Sequence, residues 1–388
     1  MQAQSWPQQS FSFGLFFFAY YGYVGMFSPY ASLYFDSMGM QAAQIGLLMS
    51  LMQIMRIFGP NLWGWMADHT GQRVLVLRMT ALAALLSFTG MFFNGGFAYF
   101  FAVMVIFNLF TSAQGPLSDA LMLSELRGDL SNYGRVRLWG SVGFIAAVAL
   151  GGPVLDLSGI KMLPWMTALL LGLLVFASLR IHETVRHAHH EQSVPVKALL
   201  GRKEVAAFFV SSFLMIAAHA ALYVFYSLYL STLGYSNTLI GVMWAIGVLA
   251  EILFFYYQAP LFRRYGVRNL MLISLALGVV RFLMIGFGAE SLLVLLLAQL
   301  LHAATFATHH SASMATLQQW FGGALQARGQ ALYTSMSYGL GGSAGGLILG
   351  LFWDTFGAGT VYAVAALFCA LATVAAALSY HWHVNRRT

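Results

Sequence analysis

Residues 64–73 read GWMADHTGQR and lie at a short polar break between two long apolar runs. A shorter, altered copy, RRYGVR, stands at residues 263–268. Shifting the chain by 195 positions without a gap places the last glycine and the arginine of the first motif on those of the second. The chain therefore repeats itself, and we predict a fold built from two related halves.

The repeat extends well beyond this motif. The same offset aligns Leu33, Tyr34, Gly39, Ile45 and Gly46 with Leu228, Tyr229, Gly234, Ile240 and Gly241. It also aligns Arg56 with Glu251, each about a dozen residues into an apolar run, which is about 18 Å along a helix and near the middle of a bilayer. Charged side chains at that depth are costly and usually mark a pathway. Internal repeats with a binding site near the membrane midplane are typical of secondary transporters.

The composition places the chain in a membrane. It is 60% hydrophobic and 8% charged, with a mean hydropathy of +0.74, whereas soluble domains carry roughly 25% charged residues. We predict an all-α protein with twelve transmembrane helices. The helices form two pseudo-symmetric six-helix bundles, at residues 1–181 and 204–388, and a cytoplasmic linker at 182–203 joins them. The apolar runs are 11–35, 43–66, 74–93, 97–124, 134–155, 160–181, 205–232, 238–260, 268–288, 291–321, 328–352 and 357–383.

The first run has no Lys or Arg before it and no small-residue cleavage site after it, so it reads as a retained helix. Basic residues concentrate in alternate breaks, which predicts that both termini are cytoplasmic in a bacterial inner membrane. The net charge of +7 is spread over many loops, so we expect no nucleic-acid partner. The single cysteine, Cys369, excludes a disulfide within the chain. In the linker, His187, His189 and His190 are interpreted as solvated, with a metal site as the alternative; we expect no metal and no cofactor.

The motif at 64–73 resembles the cytoplasmic signature of the major facilitator superfamily, because Gly64, Asp68, Gly71 and Arg73 all stand in register. Glycines permit a tight turn where helices pack closely. The resemblance implies that Asp68 contacts the positive end of a neighbouring helix and holds one gating state. In the copy, Arg263 replaces the aspartate.

A second motif, YGRVRLWGSVGF at residues 133–144, looks like the phenylpropionate-permease group and the nucleoside:proton symporters, which are relatives of the lactose permease. More of the chain agrees with the phenylpropionate group, namely Pro116–Ala120, Ala218–Ala220, Ala250–Glu251, Val280–Arg281, His302 and His310. In both groups, the resemblance implies, the residues matching Arg137 and Glu251 serve substrate recognition or proton coupling.

The residues themselves support a polar pathway. Arg137, Ser141 and Phe144 share one helical face and could form a ligand surface, although Arg137 could instead extend to the headgroups. Glu251 has no charged neighbour within eleven residues, so it must face a cavity or a partner. Burial favours a neutral carboxyl and a nearby arginine favours a charged one, so such a group can exchange a proton; a static salt bridge is the alternative.

Further candidates lie in the same apolar runs. We predict that Asp119 faces Arg137 as its counter-ion, with a structural or a coupling role. Arg281 could pair with Glu251 or hold an anionic substrate. The remaining candidates are Arg56, the histidines His219, His302, His309 and His310, and the aromatic residues Tyr20, Tyr223 and Trp244. Histidines and aromatic rings at such positions are also common packing residues.

Three intramembrane arginines against two carboxylates leave one positive charge, which suits an anion. We therefore predict a proton-coupled symporter that imports a small organic solute, an aromatic carboxylate such as 3-phenylpropionate, by alternating access. The alternative substrate is a nucleoside or a sugar, and a proton-driven drug exporter is a third hypothesis. No nucleophile–base or metal constellation points to an enzyme. The expected partners are the solute, protons and the lipid bilayer, and we expect a monomer.

Overall fold

The computed structural model describes residues 6–126, 129–183, 201–321 and 325–385. Most of the predicted linker, including His187, His189 and His190, lies outside the described residues.

Within the described ranges, ten helical segments are long and apolar enough to cross a membrane. The two longest each contain a glycine with non-helical backbone angles, Gly266 and Gly357, and therefore hold two spans each. The twelve predicted helices are thus confirmed. They are α1 Trp6–Ser37, α2 Ala42–Thr70, α3 Arg73–Phe92, α4 Phe97–Glu125, α5 Leu130–Ser158, α6 Ile160–Arg180, α7 Lys203–Thr232, α8 237–265, α9 267–288, α10 Leu292–Trp320, α11 326–356 and α12 358–385.

The repeat is visible in the backbone as well as in the sequence. Positive φ angles occur at three pairs of glycines: Gly39 and Gly234, Gly71 and Gly266, Gly159 and Gly357. In each pair the two glycines occupy equivalent turns, 195 or 198 residues apart. A side chain is strained in this left-handed region, so glycine allows the chain to reverse between helices.

The chain packs as two compact units. Unit 1 comprises Met1–Met40, Ile54–His190 and Tyr235–Val242. Within it, α1 packs closely on α5, since a Cβ atom on Gly143 would lie 2.1 Å from the backbone oxygen of Phe18. Small residues at such crossings let helix backbones touch in the membrane. This close approach places α1 beside the polar face of α5.

The start of α8 is fixed in unit 1 by Asp156 near the end of α5. Its carboxylate accepts hydrogen bonds from the backbone N–H groups of Asn237 at 2.8 Å and Thr238 at 2.9 Å, and from the Thr238 hydroxyl at 2.6 Å. The carboxylate thus satisfies donors at a helix N-terminus, where the helix dipole also favours negative charge.

Unit 2 comprises Gln41–Gln53, Glu191–Gly234 and Met243–Thr388. Here α7 packs on α11 and α12. A Cβ atom on Gly345 would lie 2.3 Å from the backbone oxygen of Ala217, and Tyr362 donates a hydrogen bond to the backbone oxygen of Ala221 at 3.2 Å. These contacts hold α7 so that His219 points into the interior of the unit, where it is 1% exposed.

Three helices of unit 2 contain a π-helical segment, which the sequence did not predict. The segments are Ala221–Phe225 in α7, Ala303–Ala307 in α10 and Thr334–Gly341 in α11. Each follows or contains a polar residue singled out below. Since π-helical turns add a residue and shift the helical face, they occur often at functional sites.

Candidate functional site

The polar candidates of the membrane interior gather in two clusters, one within each unit. The Arg137 cluster of unit 1 consists of Tyr21, Asp119, Tyr133 and Arg137. The Glu251 cluster of unit 2 consists of His219, Glu251, Arg281, His302 and Thr305. Each cluster is described separately.

Arg137 is held by a carboxylate and two phenols. Its Nε lies 3.6 Å from Oδ1 of Asp119, and its Nη2 donates a hydrogen bond to the hydroxyl of Tyr21. The hydroxyl of Tyr133 donates to the same Asp119 oxygen at 3.0 Å. The structure thus places the predicted counter-ion beside Arg137, and the hydrogen bond from Tyr133 helps to fix the carboxylate.

Two aromatic rings also face the guanidinium of Arg137. Its central carbon lies 4.0 Å from the ring centroid of Tyr21 and 5.2 Å from that of Phe17. A guanidinium at these distances is stabilised by the electrons of the rings. The Arg137 side chain is still 28% exposed, so its contacts with these residues leave part of it uncovered.

The other candidates of unit 1 surround this cluster without joining its hydrogen bonds. Tyr20 packs edge-on against Tyr21 at 4.7 Å between ring centroids and lies within electrostatic range of Arg56. Ser141 is partly buried, and Phe144 packs against Gly25 of α1.

Glu251 pairs with a histidine in unit 2. Its Oε1 lies 2.5 Å from Nε2 of His302, a hydrogen-bond distance at which the shared proton can belong to either group. The Glu251 side chain is 18% exposed and that of His302 is 7% exposed. The pair therefore joins a partly exposed carboxyl group to a buried imidazole. The sequence had left the partner of Glu251 open.

Arg281 lies behind this pair and is fully buried. Its Nε donates to the backbone oxygen of Ala298 at 2.8 Å, and its Nη1 lies 3.5 Å from both His219 Nε2 and Thr305 Oγ1. Among the described residues, no carboxylate lies within ion-pair distance of Arg281. The direct pair with Glu251 that the sequence allowed is therefore not formed, although the two charges interact at longer range.

The orientation of His219 explains how it can accept a hydrogen bond from Arg281. Its Nδ1 lies 3.0 Å from the backbone oxygen of Met215, which only accepts, so Nδ1 carries the proton. The lone pair of Nε2 then faces the guanidinium. A neutral His219 therefore fits beside the buried cation of Arg281.

An aromatic pair lies near the same cluster. The ring of Tyr223 stacks on that of Trp244 at 6.3 Å between centroids, and His219 lies 6.4 Å from Tyr223. The indole N–H of Trp244 donates to the Ser227 hydroxyl at 3.0 Å. Both predicted aromatic residues thus lie together in unit 2.

The signature loop is built around Gly71, whose φ angle is +63°. Arg73 begins α3; its Nε donates to Oε1 of Glu183 at 2.7 Å and its Nη2 to the Ser124 hydroxyl at 3.3 Å. Asp68 is exposed, and no hydrogen bond joins it to any residue that the structure describes. The helix contact that the resemblance implies for Asp68 stays a prediction, whereas Arg73 ties α3 to α4 and to the chain after α6.

The sequence did not predict several residues that contact the candidate residues. It selected Tyr20 where the adjacent Tyr21 contacts Arg137, and nothing in the sequence distinguishes two neighbouring tyrosines. It did not pair Glu251 with His302, because the two lie on different helices. For Tyr133 a signal existed, since it stands four residues before Arg137 and so on the same helical face.

Comparison with known proteins places the chain in a family. The model described as "MFS_1 like family" matches residues 11–364. The chain is 31% identical over 329 residues to a protein of Escherichia coli K12 described as "probable 3-phenylpropionic acid transporter", covering 83% of this chain and 86% of that protein. It is 24% identical over 345 residues to the nucleoside permease NupG of Escherichia coli K12, covering 82% and 81% of the two chains.

The solved structure of the nucleoside transporter NupG has the same fold. It superposes with a TM-score of 0.82 at 21% identity and covers 97% of this chain and 99% of its own.

Proposed function

Since the chain belongs to the MFS_1 like family and is a multi-pass secondary transporter of the major facilitator type, we propose that it imports an aromatic carboxylate, such as 3-phenylpropionate, together with protons. The relative that is described as a 3-phenylpropionic acid transporter supports the substrate. The two polar clusters support separate roles in substrate binding and in proton coupling.

The observation that carries the substrate proposal is the setting of Arg137. It combines a partly exposed guanidinium with the rings of Tyr21 and Phe17. A carboxylate can accept two parallel hydrogen bonds from a guanidinium, and an aromatic ring can pack against the neighbouring rings. In our proposal Arg137 binds the carboxylate, while Ser141, Phe144 and Tyr20 contact the rest of the ligand.

In the second cluster, Glu251 carries the coupled proton and His302 stabilises either protonation state through their hydrogen bond. The fully buried Arg281 acts on the pair through its charge, with His219 as its neutral neighbour. In unit 2 the stacked rings of Tyr223 and Trp244 offer an aromatic surface to a ligand, and in unit 1 Arg56 offers a further positive charge. Asp119 holds Arg137 in place and is the second candidate for proton exchange.

Transport then proceeds by alternating access, with the bundles 1–181 and 204–388 as the moving parts and Gly64, Asp68, Gly71 and Arg73 as the gating motif. The positive-inside pattern supports a bacterial inner membrane with both termini in the cytoplasm. The proposal needs no second copy of the chain.

A nucleoside is the second candidate substrate. The nucleoside permease among the relatives and the stacked pair of Tyr223 and Trp244 both favour it, because a base can stack on such rings. A nucleoside carries no carboxylate, however, and so could not accept the two parallel hydrogen bonds that we propose for Arg137.

A binding screen separates the two candidates. Purified protein in detergent is heated with 3-phenylpropionate, with 3-phenylpropionamide as the uncharged control, and with a set of nucleosides and sugars. We expect a rise in the unfolding temperature with the carboxylate and none with its amide, because bound ligand stabilises the folded state. A rise with nucleosides or sugars alone would overturn the assignment.

A further inference from the structure

A second group of polar side chains lies in unit 2, between α10 and α11, and none of the roles above uses it. We call it the hydroxyl cluster and define it as His310, Ser313, Tyr333 and Tyr338. The hydroxyl of Tyr338 lies 3.3 Å from Nδ1 of His310, and the ring centroid of Tyr333 lies 5.9 Å from that of Tyr338. Tyr333 also lies 6.5 Å from His310 between ring centroids.

The cluster contains two buried hydroxyl groups for which the described residues provide no hydrogen bond of good geometry. Ser313 is fully buried and Tyr333 is 1% exposed. The hydroxyl of Tyr333 lies close enough to Ser313 and Tyr338 to interact with them, yet neither it nor the Ser313 hydroxyl makes a hydrogen bond of good geometry within the described residues. Such groups are rare in folded proteins and require an explanation.

Packing alone does not explain the phenol of Tyr333. Its ring stacks on Phe208 at 6.3 Å, in a core that also contains Trp320 and Phe321. A phenylalanine would pack there equally well and would leave no hydroxyl unsatisfied. The oxygen atom is therefore better explained by a role in chemistry than by one in stability.

The hydroxyl cluster and the Glu251 cluster share α10, which carries His302 of one and His310 and Ser313 of the other. His310 and Glu251 interact electrostatically across unit 2. The other titratable or charged groups around them are His302 against Glu251, Arg281 within range of Glu251, and His309 beside His310. Along α10, His310 lies eight residues beyond His302, about 12 Å towards the connection at 321–325.

Each member of the cluster can both accept and donate a proton. A hydroxyl offers one proton and two lone pairs, and a neutral imidazole offers one proton and one lone pair. The cluster has no carboxylate, and no group of three metal-ligating side chains occurs among the described residues. This set of groups fits proton transfer better than the binding of a cation.

We propose that the hydroxyl cluster relays the coupled proton between Glu251 and the end of α10 at Trp320. The proposal rests on the proposed proton coupling at Glu251. When Glu251 releases its proton, intervening water passes one proton to His310, which gives its own to Tyr338. Tyr333 and Ser313 each accept one proton on oxygen and pass their own onward. One proton leaves, and each group regains its starting composition.

The test uses the full chain in proteoliposomes with radiolabelled 3-phenylpropionate, and it compares Tyr333→Phe and Ser313→Ala with the wild type. The matched controls are Tyr362→Phe and Ser211→Ala, which remove buried hydroxyls that hydrogen-bond to backbone oxygens elsewhere in unit 2. Substrate exchange at equal pH requires no net proton release, whereas uptake driven by a pH gradient does.

We expect both relay variants to lower the rate of pH-driven uptake on the order of tenfold, because each removes one hydrogen bond from the path of the proton. The rate of exchange should stay within about twofold of the wild type. The controls should retain both rates. If the relay variants match the controls, or if exchange falls together with uptake in a folded variant, the relay is contradicted.

A substrate-free measurement separates the relay from the proposed function. After a rapid pH jump, infrared spectroscopy follows the carboxyl band that Glu251→Gln removes. We expect that band to respond more slowly in Tyr333→Phe and Ser313→Ala than in either control. An unchanged response rate contradicts the relay. If the relay variants behave like the controls and Glu251→Gln still abolishes pH-driven uptake, the relay is wrong and the proposed function stands. If Glu251→Gln retains pH-driven uptake, proton coupling at Glu251 is itself refuted.

Discussion

Replacing Glu251 with glutamine is expected to abolish substrate accumulation driven by a pH gradient while leaving substrate exchange across the membrane. Glutamine keeps the shape of the side chain, and its amide oxygen can still accept a hydrogen bond from His302 Nε2. It can neither bind nor release a proton, so the step that couples the gradient to transport is lost. Both transport modes are measured on one preparation of proteoliposomes.

The matched control for this experiment is Glu290→Gln. Glu290 is exposed beyond the end of α9, so neutralising it should leave both transport modes unchanged. Retained accumulation in Glu251→Gln would show that the coupled proton is carried elsewhere, with Asp119 as the next candidate.

Replacing Arg137 with glutamine is expected to weaken binding of 3-phenylpropionate on the order of 100-fold. A hydrogen bond to a charged group contributes about 1.5–3 kcal/mol, and about 1.4 kcal/mol corresponds to a tenfold change in affinity. The substitution also leaves Asp119 without its cation, which adds an unfavourable negative charge near the ligand. Isothermal titration of the purified variant measures the loss.

Arg135→Gln is the control, since Arg135 lies two residues away on α5 and is exposed. It removes the same charge from the same helix but not from the cluster, so its affinity should equal that of the wild type. Near-normal binding of the carboxylate by a folded Arg137→Gln variant would remove Arg137 from the substrate site.

The helices were predictable because bilayer thickness and hydropathy determine them almost completely. Short polar breaks in the sequence indicated where the twelve spans end, and the alignment with Gly71 indicated the turn at Gly266. The π-helical segments were not predictable, since they depend on how each helix packs against its neighbours. One of them, Ala303–Ala307, lies between His302 and His309 and changes their relative orientation from that of a regular α-helix.

The site was predictable where one helix carries the signal and not where two helices meet. Arg137 and Glu251 stand out because a charge within an apolar run is costly. The pairing of Arg137 with Asp119 was inferred from their opposite charges and is present in the structure. The partner of Glu251 required coordinates, because four intramembrane histidines were equally available in the sequence.

Proton symport of the carboxylate is tested most directly by measuring proton flux together with substrate uptake. Proteoliposomes that contain a pH-sensitive dye are exposed to 3-phenylpropionate at equal pH on the two sides, with 3-phenylpropionamide as the control. We predict that the carboxylate enters and acidifies the interior beyond the signal of protein-free liposomes, and that this extra acidification is absent in Glu251→Gln. Protein-dependent uptake of the carboxylate without any protein-dependent acidification would contradict proton symport.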